Sequence, residues 1–113
     1  MESKAIARYV RIAPRKARLV VDLVRGRNVE NALELLDVMP KKAARIVAKT
    51  LRSALANAED RSHVVDVDRL YVKRAFVDEA PSFTRWSPRA HGRATPILKR
   101  GSHITLVLDE RGR

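Results

Sequence analysis

The sequence predicts a fold of the α+β class. Helical periodicity fills its first half, and strand patterns stand at its beginning and end. Between the last two strand patterns, residues 81–103 carry five Lys and Arg, three Pro and no Asp or Glu. That segment is the chain's most distinctive part.

Residues 3–12 alternate, with Ala5, Ala7 and Tyr9 set against Lys4, Ile6, Arg8 and Val10, which predicts a strand. Pro14 suits a first helical position, where its missing N–H costs nothing. Ala17, Val20, Val21 and Val24 then recur at helical spacing, and Gly26 follows as a stop. Ala13 is a poor N-cap, so this helix must draw its stability from packing. Asn28 is positioned to cap a short second helix carrying Ala32, Leu33, Leu35 and Leu36. Pro40 opens the longest helical pattern, an apolar stripe of Ala43, Ile46, Val47, Thr50, Leu51, Ala54, Leu55 and Ala58. Residues 59–69 read as a polar connection. Residues 70–77 and 103–108 are rich in β-branched and aromatic side chains and predict strands.

A chain of 113 residues argues for one domain, spanning 1–113. Aromatic residues make up 4% of it, so its core must be built from Val, Leu, Ile and Ala. The segment 81–103 holds too many helix breakers for a packed helix. Read as two extended arms of about 11 residues, at roughly 3.3 Å each, it reaches about 35 Å. A globule of this size has a radius of gyration of only about 13 Å. An extended basic β-hairpin would therefore stand clear of its own body and need an outside partner.

Charge names the class of that partner. Lys and Arg exceed Asp and Glu by 24 to 13, a formal charge of +11, and most of the cations are Arg. Self-repulsion at this charge favours a polyanion as partner, nucleic acid before an anionic membrane surface. Residues 1–28 carry eight cations and two acids, whereas residues 29–80 carry nine of each. Two basic zones thus flank a neutral middle. Such a composition explains affinity for RNA or DNA in general and not the choice of site. There are no cysteines, so disulfides and thiolate metal sites are excluded. No apolar run approaches the roughly 20 residues that span a bilayer, and the first residues lack a signal-peptide core. The expectation is a soluble cytoplasmic protein with no membrane insertion.

The candidate chemistry is that of phosphate binding. Arg8 and Arg11 lie on the first strand. Arg15, Lys16 and Arg18 surround a helix N-terminus, where backbone donors and cations favour an anion. Arg25 ends the same helix. Arg45, Lys49 and Arg52 fall at i, i+4 and i+7, on one face with no acid four residues away. In the hairpin, Arg85, Arg89, His91, Arg93, Lys99 and Arg100 supply the charge. Trp86 either stacks on a base, as aromatics do in loop RNA, or packs on the hairpin's own backbone. Arg89, His91 and Arg93 alternate through the tip, Arg89, Ala90, His91, Gly92 and Arg93, where Gly92 permits a turn. His63, His91 and His103 lack metal-ligand spacing, and His103 reads as a hydrogen-bonded structural residue. Asp78 and Glu79 read as a turn or salt bridge at the hairpin base rather than a catalytic pair. No catalytic residue, metal site or cofactor is expected. An RNA-modifying or RNA-cleaving enzyme would need a nucleophile, a carboxylate cluster or a metal. A DNA-compacting chromatin protein is the alternative within the binding class, and it predicts a dimer.

Four ordered segments carry a resemblance that spans nearly the whole chain: APRKARLVVDLVRG (13–26), VAKTLRSALANA (47–58), RLYVKRAFVDEAP (69–81) and PRAHGRATPILKRGSHITLVL (88–108). The chain resembles the universal large-subunit ribosomal protein twenty-two family in its short bacterial form. The resemblance implies three helices packed on a small three-stranded antiparallel sheet, with a long protruding β-hairpin. It implies a cytoplasmic ribosomal protein that binds large-subunit ribosomal RNA, supports subunit assembly and touches neighbouring large-subunit proteins, with no homo-oligomer. The hairpin is expected to thread between RNA segments, its tip lining the exit tunnel beside the nascent polypeptide. Three positions depart from the family pattern. Ala13 stands where Ser is usual, His91 where Arg, Lys or Gln is frequent, and Gly101 where Thr is usual.

Overall fold

The computed structural model describes residues 2–61, 67–88 and 94–110. Strand β1 (Ser3–Val10) leads into helices α1 (Pro14–Val24), α2 (Val29–Val38) and α3 (Lys42–Arg61). A 3-10 turn at Val67–Arg69 precedes two long strands, β2 (Leu70–Pro88) and β3 (Ala94–Glu110). The sheet has three strands in the order β1-β3-β2, antiparallel throughout. This is the α+β arrangement that the sequence predicts.

The helices cover one face of the sheet, and alternation along the strands says why. Leu70, Val72, Ala75 and Val77 of β2 are buried, as are Ile104, Leu106 and Leu108 of the central strand. Against them pack Ala17, Val20, Val21 and Val24 of α1, the residues whose spacing predicts that helix. From α3 come Val47, Leu51, Ala54 and Ala58, joined by Ala44 and Ala48, which widen the predicted stripe. Ala13 occupies the N-cap of α1 without a side-chain cap, and Asn28 does the same for α2. Both helices are accordingly held by their buried faces rather than by their ends. Helix α3 runs on to Arg61, into the stretch that reads as a connection, because burial of Ala58 carries the last turn with it.

Among the described residues, three register shifts break the ladders. One lies between Ala7 and Val10, where Tyr9 adopts φ +55°. The extra residue reverses the alternation, so Val10 packs against the core while Tyr9 is 65% exposed. The Tyr9 N–H donates to His103 Nδ1 at 3.1 Å, and the two rings meet edge to face at 4.7 Å. His103 is therefore the hydrogen-bonded structural residue expected. Ser102 is fully buried beside it and donates through Oγ to the Ile12 carbonyl at 2.5 Å.

The β2–β3 ladder runs from Leu70 opposite Glu110 to Pro88 opposite Ala94, well past the short strand patterns at 70–77 and 103–108. Pro81 lies at the register shift between Ala80 and Phe83, and Pro96 faces Trp86. Beyond β1 the ribbon has only two strands, so each has an open edge, and edge strands and bulges are where a sheet tolerates proline. Asp78 and Glu79 correct one expectation. Both continue β2 opposite His103 and Ser102, with no turn, and neither makes an ion pair among the described residues. The molecule measures 67 × 25 × 17 Å, with a radius of gyration of 17.3 Å.

Candidate nucleic-acid interface

The basic residues divide by what their charged ends already touch. Arg18 Nη2 donates to the Val77 carbonyl at 3.0 Å. Arg25 donates through Nε and Nη2 to the Ala75 carbonyl, and its Nη1 pairs with Asp22 at 2.9 Å. Strand β2 is an edge of the sheet, so the two guanidinium groups satisfy carbonyls that no neighbouring strand reaches, and they fasten α1 along that edge. Arg52 pairs with Asp37 of α2 at 2.9 Å. Its acid comes from another helix, although none stands at helical spacing on α3. Each arginine has five N–H donors, so these contacts leave some free.

A second set is exposed and makes no ion pair among the described residues. Arg8 and Arg11 belong to β1 and the corner after it, Arg15 and Lys16 to the first turn of α1, and Arg45 and Lys49 to α3. Arg100 is exposed at the base of the ribbon, beside Tyr9, Pro81 and Gly101. Arg85, Trp86 and Lys99 are placed by backbone alone, opposite Ile97, Pro96 and Phe83 respectively. The tip residues Arg89, Ala90, His91, Gly92 and Arg93 lie outside the described residues.

The fold also brings together cations that the sequence reading leaves apart. The β1–α1 corner and the start of α3 enclose a groove of about 620 Å³. Arg11, Lys16, Lys41 and Lys42 stand round it. Ile12, Ala13, Leu19 and Ala43 supply its apolar surface, and no acid lines it among the described residues. Lys42 Nζ lies 3.5 Å from the Arg11 carbonyl and ties the two walls together. Lys41 and Lys42 are absent from the predicted set. The signal was present: Pro40-Lys41-Lys42 repeats the pattern of Pro14-Arg15-Lys16, a proline followed by paired cations at a helix start.

Ionisation shifts sit at the opposite end of the sheet. The hydrogen bond from Lys73 holds the Glu2 carboxyl below its ordinary range, and Glu2, then Asp109, raise the Lys73 ammonium. Asp109 is lowered, first by the Glu110 backbone N–H and then, against the opposing pull of burial, by Lys73. Lys73 is the extra residue of the shift between Val72 and Arg74, and it ties β2 to β3 through Asp109 at 3.3 Å and to Glu2, just ahead of β1, at 2.5 Å. These are structural ion pairs. No group of three potential metal ligands exists among the described residues, and no helix among them is long and apolar enough to cross a membrane.

An extended basic surface suits a polyanionic partner, and comparison with known proteins narrows the class. The protein from Syntrophobacter fumaroxidans named large ribosomal subunit protein uL22 is 54% identical over 98% of this chain and 100% of its own length. Proteins of the same name from Thermoanaerobacter sp. and Aquifex aeolicus are 55% and 54% identical, over 98% and 97% of this chain and 99% and 81% of theirs. The family model described as ribosomal protein L22p/L17e matches residues 5–109, so the chain belongs to that family.

Proposed function

We propose that this protein, as a single domain over 1–113, binds large-subunit ribosomal RNA, supports assembly of the subunit, and sends the basic hairpin of residues 81–103 into the exit tunnel. As a member of its family it is a structural constituent of the large subunit of the cytoplasmic ribosome and not an enzyme. On this reading its cations neutralise phosphates of RNA segments distant in sequence, while the ribbon wedges between them. Arg8, Arg11, Arg15, Lys16, Arg45 and Lys49 serve the body. Arg18, Arg25 and Arg52 contribute their remaining donors while holding α1, α2 and α3 in place. Arg85, Trp86, Lys99 and Arg100 serve the arm, and Arg89, Ala90, His91, Gly92 and Arg93 face the nascent polypeptide. Neighbouring large-subunit proteins complete the surroundings, and the chain acts without a second copy of itself.

One observation carries the arm's role. The β2–β3 ribbon continues to Pro88 and Ala94, yet from 81 to 103 it contains no acid that could neutralise its own cations. Footprinting on large-subunit RNA tests this, with the wild-type chain and a deletion of residues 83–98. The deletion should abolish protection in the tunnel region and retain that given by the body. Unchanged tunnel protection would refute the hairpin's placement.

A further inference from the structure

The groove between the β1–α1 corner and α3 has a composition that phosphate binding alone does not explain. A contact to a duplex backbone needs cations and donors, and it leaves an apolar floor unused. Here Ile12, Ala13, Leu19 and Ala43 line the same space as four cations. Leu19 is 59% exposed, while Ala17 and Val20 on the inward side of the same helix are fully buried. The floor is also built in advance. Ile12 is buried, and the Ser102 hydroxyl holds its carbonyl. A volume of about 620 Å³ lies within the roughly 300–1,000 Å³ of small-molecule sites.

We propose that this groove receives one unstacked nucleotide of the bound RNA, its base on the Leu19–Ala43 floor and its flanking phosphates on Arg11, Lys16, Lys41 and Lys42. The inference rests on the RNA-binding reading above and specifies the form of RNA at one site. The absence of a lining carboxylate among the described residues favours a polyanion, and the apolar floor favours a ligand with an aromatic face. A single-stranded nucleotide combines both, as in other single-strand sites where bases stack over a basic track. The guanidinium plane of Arg11 is a second stacking surface at the rim.

The test titrates the 113-residue chain with pentaadenylate and with the same sugar-phosphate backbone abasic at all five positions, read by amide shifts. Pentaadenylate should move Lys16, Leu19 and Ala43, and the abasic strand should bind several-fold more weakly, because it buries no base face against the apolar floor. Leu19→Asn, at an exposed position, should weaken the intact strand by a similar factor and leave the abasic strand unchanged. Equal binding of the two strands would overturn the nucleotide assignment, because phosphate would then suffice. Equal binding of an acidic peptide, pentaglutamate, would overturn it too. On large-subunit RNA, wild-type protection that Leu19→Asn leaves whole at every nucleotide would remove the groove alone. No protection by the wild type would remove the reading beneath it.

Discussion

Two described residues have a positive φ, Gly26 at +82° and Tyr9 at +55°, and they differ in how far the sequence announces them. Gly26 follows the last apolar residue of α1, where a left-handed residue ends a helix and glycine adopts that shape without strain. Its N–H donates to the Val72 carbonyl at 2.9 Å, which turns the chain back toward the sheet. A Cβ there would meet nothing within 4 Å, so a substitution measures backbone strain alone. Gly26→Ala should cost about 1 kcal/mol, seen as a lower urea midpoint at unchanged slope. An unshifted midpoint would show that the residue does not need its left-handed conformation. Tyr9 carried no such signal. Its strain is held by the bond to His103, a partner 94 residues away that no local pattern reveals. Gly101 is a packing matter instead. A Cβ would lie 3.2 Å from that of Ala80 and 3.4 Å from the Val10 carbonyl, so the glycine permits close approach of three strands.

At the scale of elements, the helices and the sheet were legible because each buries one periodic face. Ala17, Val20, Val21 and Val24 lie in the core as their spacing requires, and Ile104, Leu106 and Leu108 do so at period two. What joins the elements was not legible. Arg18 and Arg25 count as cations in a sequence, yet their guanidinium groups reach carbonyls 59 and 50 residues away and fix α1 to an edge strand. The Glu2–Lys73–Asp109 network joins β2 and β3 to the residue ahead of β1 in the same long-range way. It also predicts a dependence on pH. The carboxyls of Glu2 and Asp109 are lowered in the folded chain, so the unfolded state takes up protons first as pH falls. Their contribution is complete above the ordinary carboxylate range and is lost as pH drops through the lowered values. These side chains are partly exposed, which keeps the effect small and sensitive to salt. Lys73→Met should therefore lower thermal stability at neutral pH and flatten its decline in acid. Parallel melting curves for both proteins down to low pH would rule the network out as a source of stability.

For the whole molecule, shape and charge have the same origin. A core drawn from residues 5–77 and 104–108 leaves the far part of β2 and β3 as a ribbon, and the ribbon carries cations without acids. The long dimension of 67 Å against 25 and 17 Å is the visible result. The sequence disclosed this through an absence: no Asp or Glu for 23 residues between two strand patterns. It did not disclose the groove, because Arg11 and Lys16 meet Lys41 and Lys42 only after α1 and α2 have folded back. Body and arm should therefore differ in what their cations do for binding. On the RNA-binding reading, replacing arginines that also hold the fold should cost stability, whereas replacing cations of the arm should cost counterion release. Replacing Arg85, Lys99 and Arg100 together by Gln should leave the far-ultraviolet spectrum and the melting temperature unchanged. The slope of log K against log salt for large-subunit RNA should become shallower by about 2–3, at roughly 0.7–0.9 for each phosphate contact removed. A variant that binds more weakly at every salt concentration with the original slope would mean that these cations do not meet phosphates. The arm would then be held by shape and stacking, with its charge serving only to keep it off its own body.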